Sequence, residues 1–252
     1  MILYDYPLTE RIRSLLRLED VFQRLAFFRD ADSHHHHVCA LASLFDLLDL
    51  SALGDLRSEL MTELDAQRRA LGAYRDSPSV SPQALDGLLT DIRQSHEQLA
   101  ALTGKPGHAL RDNEWLMAVR SRSKIAGGAT DHDMPSFWAW QNQPVQRRQA
   151  DIDRWLAPFK PYRQALDLVM RLLRDSGKSV DLTATDGSCQ HALGGQAYQL
   201  ARLAVAVELN AVPDISANKY LLWIRFSAMD GDNRLRPVNR PVPFRLTLCN
   251  LQ

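Results

Sequence analysis

The sequence predicts an α+β protein: an N-terminal all-helical domain followed by a C-terminal antiparallel β-sheet domain. Three observations carry that prediction. From Thr9 to Arg174 apolar residues recur three and four apart, the helical period. From Lys178 onward they alternate with polar residues, the strand period. Between the two regimes Ser176-Gly177 is a helix stop. Helices gathered at one end and strands at the other mean α+β, or two segregated domains. Residues 1–177 are therefore expected as the helical domain and 178–252 as the β domain.

Taken in order, residues 2–6 (ILYDY) can form a short strand that joins the β domain, and Pro7 breaks it. Thr9 can cap a helix whose apolar positions are Ile12, Leu15, Leu18, Phe22 and Leu25. Arg13, Arg17 and Arg24 project with Asp20 on the opposite stripe. Two readings stand there: a solvated face, or an arginine cradle for a carboxylate-bearing partner. Ser33-His34-His35-His36-His37 is expected as a polar loop, with a helix from Val38 to Leu50 after it. Adjacent histidine side chains diverge and no second ligand cluster is evident, so no metal is expected.

Two long amphipathic stretches follow, Asp55 to Tyr74 and Pro82 to Leu102. Leu56, Leu60, Leu64 and Leu71 mark the first; Leu85, Leu88, Ile92, Leu99 and Leu102 mark the second, near a heptad rhythm. Ser81-Pro82 is a start signal, and the short DSPSVS link favours an antiparallel hairpin. Its apolar ridge suits self-association or packing within one subunit. From Arg111 to Lys124 a further helix is expected, with Asp112 as its cap and Leu110, Trp115, Met117, Ala118 and Val119 apolar. Arg120, Arg122 and Lys124 sit in its last turn, where the helix dipole favours cations. Gly127-Gly128 end it, Asp131-His132-Asp133 follow, and Pro135 opens a helix carrying Phe137, Trp138 and Trp140. Helices at 146–156 and 162–174 complete the domain.

In the β region Val180, Leu182 and Ala184 alternate, Asp186-Gly187 signals a turn, and 197–208 reads as a strand. Residues 219–229 place Tyr220, Leu222, Ile224 and Phe226 on one face, with Lys219, Leu221, Trp223 and Arg225 on the other. The last strand alternates Val242, Phe244, Leu246 and Leu248 with Arg245, Thr247 and Cys249.

Thirty Lys and Arg balance thirty Asp and Glu, which disfavours a general nucleic-acid or membrane binder. The N-terminus lacks a secretory signal pattern, and no apolar stretch approaches the roughly 20 residues that span a bilayer. Cys39, Cys189 and Cys249 are odd in number and far apart, as expected of reduced thiols in a soluble intracellular protein. Ser176-Gly177-Lys178-Ser179 imitates a phosphate loop but lacks its first glycine and ends a helix instead of opening one. Asp230-Gly231-Asp232-Asn233 suits a β-turn better than a calcium loop. His132 between two carboxylates is the one candidate general base, the seed of a small hydrolase, although no nucleophile or metal motif accompanies it. No cofactor is expected.

At this point several segments are recognisable together. PLTERIRSLLRLE at 7–19, ELxxELDxQR at 59–68, Leu110-Arg111-Asp112-Asn113-Glu114 and the VRSR(S)-I-x-GG segment at 119–128 resemble the ZapD family. Asp133-x-Pro135 with Trp140, Ile215-Ser216-x-x-Lys219 with Ile224-Arg225-Phe226, and Phe244-Arg245-Leu246-Thr247 extend the resemblance to the C-terminus. The chain departs from the family pattern at the 130–135 run, at Trp138, which stands near the place of a family histidine in the next helix, and at Leu221, where members carry an arginine. The resemblance implies a bacterial cytoplasmic, non-enzymatic homodimer acting at the midcell Z-ring. Its members bind the C-terminal tail of the tubulin-like division GTPase FtsZ and bundle its protofilaments. Carried onto this chain, it implies tail contacts at Arg13, Arg17, Arg120, Arg122, Lys124, Trp138, Lys219 and Arg225. The alternatives are the hydrolase on His132, or a helical scaffold for another acidic partner.

Overall fold

The structure is a computed structural model that describes residues 1–251 apart from positions 76 and 79. Two residues of the DSPSVS link thus lie outside the described residues. The α+β prediction holds: after one N-terminal strand the helices come first and the antiparallel strands follow. The chain divides into two compact units, Met1–Leu16 with Met170–Gln252, and Arg17–Val169. The divisions fall within helices α1 (Glu10–Asp30) and α9 (Lys160–Asp175), not at residue 177 where the periodicity changes.

Thr9 caps α1 through its side chain, which accepts the Ile12 N–H at 3.3 Å. All five apolar positions expected of α1 are buried. Helix α2 (His34–Leu53) corrects the expected loop, because the four histidines are its first turn. Ser33 caps it, accepting from the His35 N–H at 3.3 Å, so the helix begins four residues before Val38. By length and composition α2 is also long and apolar enough to cross a bilayer, which the sequence reading excluded. Its Leu41, Leu44, Leu47 and Leu48 are buried, as in the central helix of a helical unit.

Helices α3 (Leu56–Gly72) and α4 (Pro82–Ala100) run antiparallel. Arg57 near the start of α3 donates to the Leu102 carbonyl beyond the end of α4 at 2.5 Å, and Asp65 meets His96 midway at 3.5 Å. Ser81 caps α4 as expected, accepting from the Ala84 N–H. Leu85, Ile92 and Leu99 are buried, so this ridge packs within the chain.

The helix expected at 111–124 forms with a later start, behind a separate short helix. Short α5 (His108–Arg111) ends at Asp112, which is helical at φ −83° and ψ −8° and cannot serve as a cap. Extended Asn113 caps α6 (Glu114–Ser123) instead, accepting from the Leu116 N–H at 2.9 Å. Pro135 opens α7 (Pro135–Gln141), and α8 (Val145–Leu156) follows. Asp133 does not cap α7; its carboxylate accepts from the Thr130 hydroxyl at 2.9 Å.

In the other unit, β1 (Ile2–Pro7), β2 (Lys178–Ala184), β4 (Leu200–Val205) and β8 (Val242–Cys249) form an antiparallel sheet in the order β1-β4-β8-β2. A second sheet orders β3 (Ser188–Ala192), β6 (Leu221–Met229) and β5 (Val212–Ala217), with β7 (Leu235–Pro237) also paired to β6. Leu203, Leu246 and Phe244 of the first sheet share one core with Leu222, Ile224 and Phe226 of the second. The Phe226 and Phe244 rings meet across it at 5.3 Å. Alternation along each strand supplies those inward faces. The strand expected over 197–208 is shorter than that: β4 stops at Val205, and a 3-10 turn at Val207–Leu209 ends on Asn210 with φ 40°. Gly187 makes the β2–β3 turn at φ +69°, and a Cβ there would lie 1.8 Å from the Val238 carbonyl oxygen. At 230–233 the expected β-turn forms, with the Asp230 carboxylate accepting from the Asp232 and Arg234 N–H groups.

Candidate partner-binding surfaces

The C-terminal end of α6 presents cations. Arg122 and Lys124 are exposed, and among the described residues neither has an ion pair. Neighbouring Ile125 is 55% exposed. The backbone turns away here because Gly127 adopts φ +70°, and a Cβ on Gly128 would come within 2.6 Å of the Ile125 Cβ. Arg120, one turn earlier, points elsewhere: its guanidinium is bonded to Asp49 of α2. A half-buried arginine with a carboxylate partner ties two helices before it greets anything else. Arg17 is exposed on α1 and lacks an ion pair among the described residues. The other two arginines of that stripe are engaged, Arg13 with Glu10 at 3.1 Å and Arg24 with Asp20 at 3.0 Å and Asp46 at 3.4 Å. The stripe is therefore largely neutralised by local acids.

Trp138 is 45% exposed, and its ring stands edge-on to His34 at 6.2 Å. Among the described residues no hydrogen bond, ion pair or ring contact joins Arg17, Arg120, Arg122, Lys124 and Trp138 to one another.

In the β unit, Arg225 is exposed on central strand β6, opposite Ser188 of β3 and Asp214 of β5. Lys219 does not share its strand face, contrary to the alternation read from the sequence. The Asn218 side chain accepts from the Tyr220 and Leu221 N–H groups at 2.8 and 2.9 Å, making a turn that delays the strand to Leu221. Lys219 thus sits at the hairpin tip, its ammonium 5.8 Å from the Tyr220 ring centroid. Tyr220, expected on one face with Leu222, Ile224 and Phe226, is 63% exposed for the same reason, whereas those three are buried.

His132 lies in a turn bonded to itself. Its ring meets Asp131 at 3.2 Å and the Thr130 hydroxyl at 3.2 Å, and that bond to the imidazole draws the Asp131 carboxyl below its ordinary range. Thr130 donates to Asp133, so the nearest hydroxyl is already committed. This geometry knits a loop ahead of α7 and brings no reactive pair together.

Two constellations escaped sequence reading. The first surrounds Arg148, 5% exposed on α8. It donates to His37 Nδ1 at 2.8 Å, to the Gln141 carbonyl at 2.9 Å, to the Asp32 carbonyl at 2.8 Å and to the Gln143 carbonyl. A guanidinium has only donors, so Nδ1 accepts and Nε2 carries the proton, which it gives to the Arg29 carbonyl at 3.2 Å. Burial, and the Arg148 charge after it, hold His37 below the ordinary histidine pKa. Contrary to expectation the four histidines do not all diverge: His34 lies on His35 with ring centroids 4.0 Å apart, while His36 stacks on Phe28 and His37 turns inward. The second constellation is a group of indoles, Trp115, Trp140 and Trp155, with centroids 5.9 to 6.1 Å apart. The available signal for both was on α8, where Arg148 and Asp151 occupy the same three-and-four spacing as buried Ile152 and Trp155.

Against this background, a family model described as ZapD, cell division protein, matches residues 16–225. That span takes in α2 through α8, the indole group and the Arg148 hub, and it ends on Arg225 of β6. The chain belongs to the ZapD family of cell division proteins.

Proposed function

We propose that this protein binds the C-terminal tail of FtsZ and crosslinks FtsZ protofilaments in the cytoplasm, at the midcell ring of a dividing bacterium. The observation that carries the reading is a set of exposed cations without ion pairs among the described residues, Arg17, Arg122, Lys124 and Arg225, on a chain of zero formal charge in a family of division proteins. Guanidiniums without carboxylate partners stand ready for the carboxylates of an acidic tail. Arg13, Arg120, Lys219 and Trp138 belong to the same proposed set, with Arg13 and Arg120 exchanging a local acid for the tail. Bundling follows from bivalency: a homodimer offers two tail sites and a filament offers many tails, so weak contacts add.

Co-pelleting of the purified protein with FtsZ and GTP tests this. The wild-type protein should bring FtsZ down as bundles and lose that ability steeply between about 50 and 300 mM salt, because such contacts are screened over about 8 Å at physiological ionic strength. Light scattering should give twice the chain mass. Bundling indifferent to salt, or a monomer at micromolar concentration, would count against the tail contacts and the bivalent mechanism respectively.

A further inference from the structure

The indole group opens onto a cleft of about 720 Å³ in the helical unit, lined by Trp115, Ala139, Trp140 and Trp155 with Arg147 and Arg154 at its edge. Its floor is apolar and has no polar need of its own. Trp115 gives its indole N–H to the Ser136 hydroxyl at 3.1 Å, and Trp140 gives its own to Asp151 at 3.1 Å. The one carboxylate present, Asp151, is 6% exposed and already in use. One of its oxygens accepts from Arg154 at 2.8 Å, and the other accepts from Trp140 and lies 3.7 Å from Arg147. Two guanidiniums therefore share one buried acid, with their side chains 67% and 66% exposed. The cleft couples a π-surface to uncompensated positive charge.

We propose that this cleft is a docking site for a short acidic peptide. One large apolar side chain of the peptide lies on the indoles, and a neighbouring carboxylate bridges Arg147 and Arg154. Charge complementarity selects the occupant: an apolar cation is repelled, and a neutral apolar segment leaves the guanidiniums unmet. A single-stranded nucleic acid shares the stacking and the negative charge, but it needs a row of cations to follow its phosphates. This cleft supplies a single pair. The proposal is independent of which protein contacts the α6 end.

Fluorescence anisotropy with the full chain decides it. The probe is a fluorescein-labelled octapeptide of aspartates and glutamates surrounding one leucine and one phenylalanine. Wild-type protein should bind it, and changing the two apolar residues to serine should weaken binding by about tenfold. Ala139→Glu, at an exposed position of the lining, should fill the mouth, occupy the guanidiniums and weaken binding by at least about tenfold. Arg147→Ser should weaken it by about threefold. Arg93→Glu, an exposed residue of α4 outside the cleft and outside the surface proposed for FtsZ, should leave it unchanged. Near-UV circular dichroism reports whether each variant keeps the indole packing; if Ala139→Glu disturbs it, Arg147→Ser at the rim decides. The proposal is overturned if the peptide fails to bind at millimolar protein, if the serine peptide or the cleft variant binds like wild type, or if oligo-dT binds more tightly than the peptide.

Discussion

Arg148 and Arg122 belong to the same helical unit and carry the same guanidinium, yet they stand at opposite ends of what an arginine can do. Arg148 is buried and spends four hydrogen bonds on three carbonyls and an imidazole. Arg122 is exposed and has no ion pair among the described residues. The first closes off chain ends that no helix satisfies: the Asp32 carbonyl before α2, and the Gln141 and Gln143 carbonyls where α7 ends. The second leaves its donors to solvent. A saturated arginine holds structure; an unsaturated one is available to a partner. Arg120 lies between them, half-buried on Asp49.

The hardest blow to that comparison is Arg148→Leu. It strands the buried Gln141 carbonyl and His37 Nδ1 and the part-buried Asp32 and Gln143 carbonyls, at roughly 1–3 kcal/mol for each buried acceptor left unsatisfied after partial relaxation. We expect a loss of about 3 kcal/mol or more in urea unfolding; a loss under about 1 kcal/mol would mean that water replaces the guanidinium and that the hub is not structural. A pH series sharpens the same point. His37 takes its proton at lower pH in the folded chain than its ordinary value of 6.5, because burial disfavours the charged form and that form would also face Arg148. Its contribution to stability is therefore complete above that ordinary value and is lost as pH falls through the depressed folded one. Unfolding midpoints at pH 7.5 and 5.5 should differ in the wild type, and by less in His37→Phe, whatever that variant costs at neutral pH. An equal pH slope in both would assign the effect to other groups.

Arg120→Leu comes next. Asp49 is half in solvent and rehydrates when its partner leaves, so the cost should stay within about 1 kcal/mol. Co-pelleting with FtsZ should suffer less than when Arg122 is reversed. The smallest effect on stability belongs to the double variant Arg122→Glu with Lys124→Glu, within about 0.5 kcal/mol by thermal or urea unfolding. Its effect on bundling should be the largest. If the double variant pellets FtsZ like wild type, the unsaturated end of the comparison is surface charge without a partner, and Arg17 and Arg225 become the residues to reverse.

Much of the architecture was legible because it is written within one or two turns of chain. Thr9, Ser81 and Pro135 mark helix starts, and Ile12 to Leu25 repeat at the helical period, whatever surrounds them. Where competing signals lay one residue apart, the reading slipped. Asp112 and Asn113 are both good caps, and only the backbone conformation chose Asn113. Polar His34 to His36 masked the first turn of α2, since a run of histidines has no apolar period even when its last member, His37, is buried. Asn218 outweighed alternation at Lys219 and Tyr220, because a side chain that closes a turn ends the strand rule there.

The sequence by itself determined the order of helices and strands, the family resemblance and the candidate cations, because period, capping and motif order are local properties of the chain. Which cation is free was a matter for tertiary structure. Arg148 finds His37 across 111 positions and Arg120 finds Asp49 across 71, and nothing near either arginine in the chain announces the partner. A guanidinium's role depends on whether packing brings acceptors to its five donors and takes water away. Only the folded arrangement of α2, α6, α7 and α8 supplies those acceptors, and it makes one arginine a hub, one a tie and one an open hand.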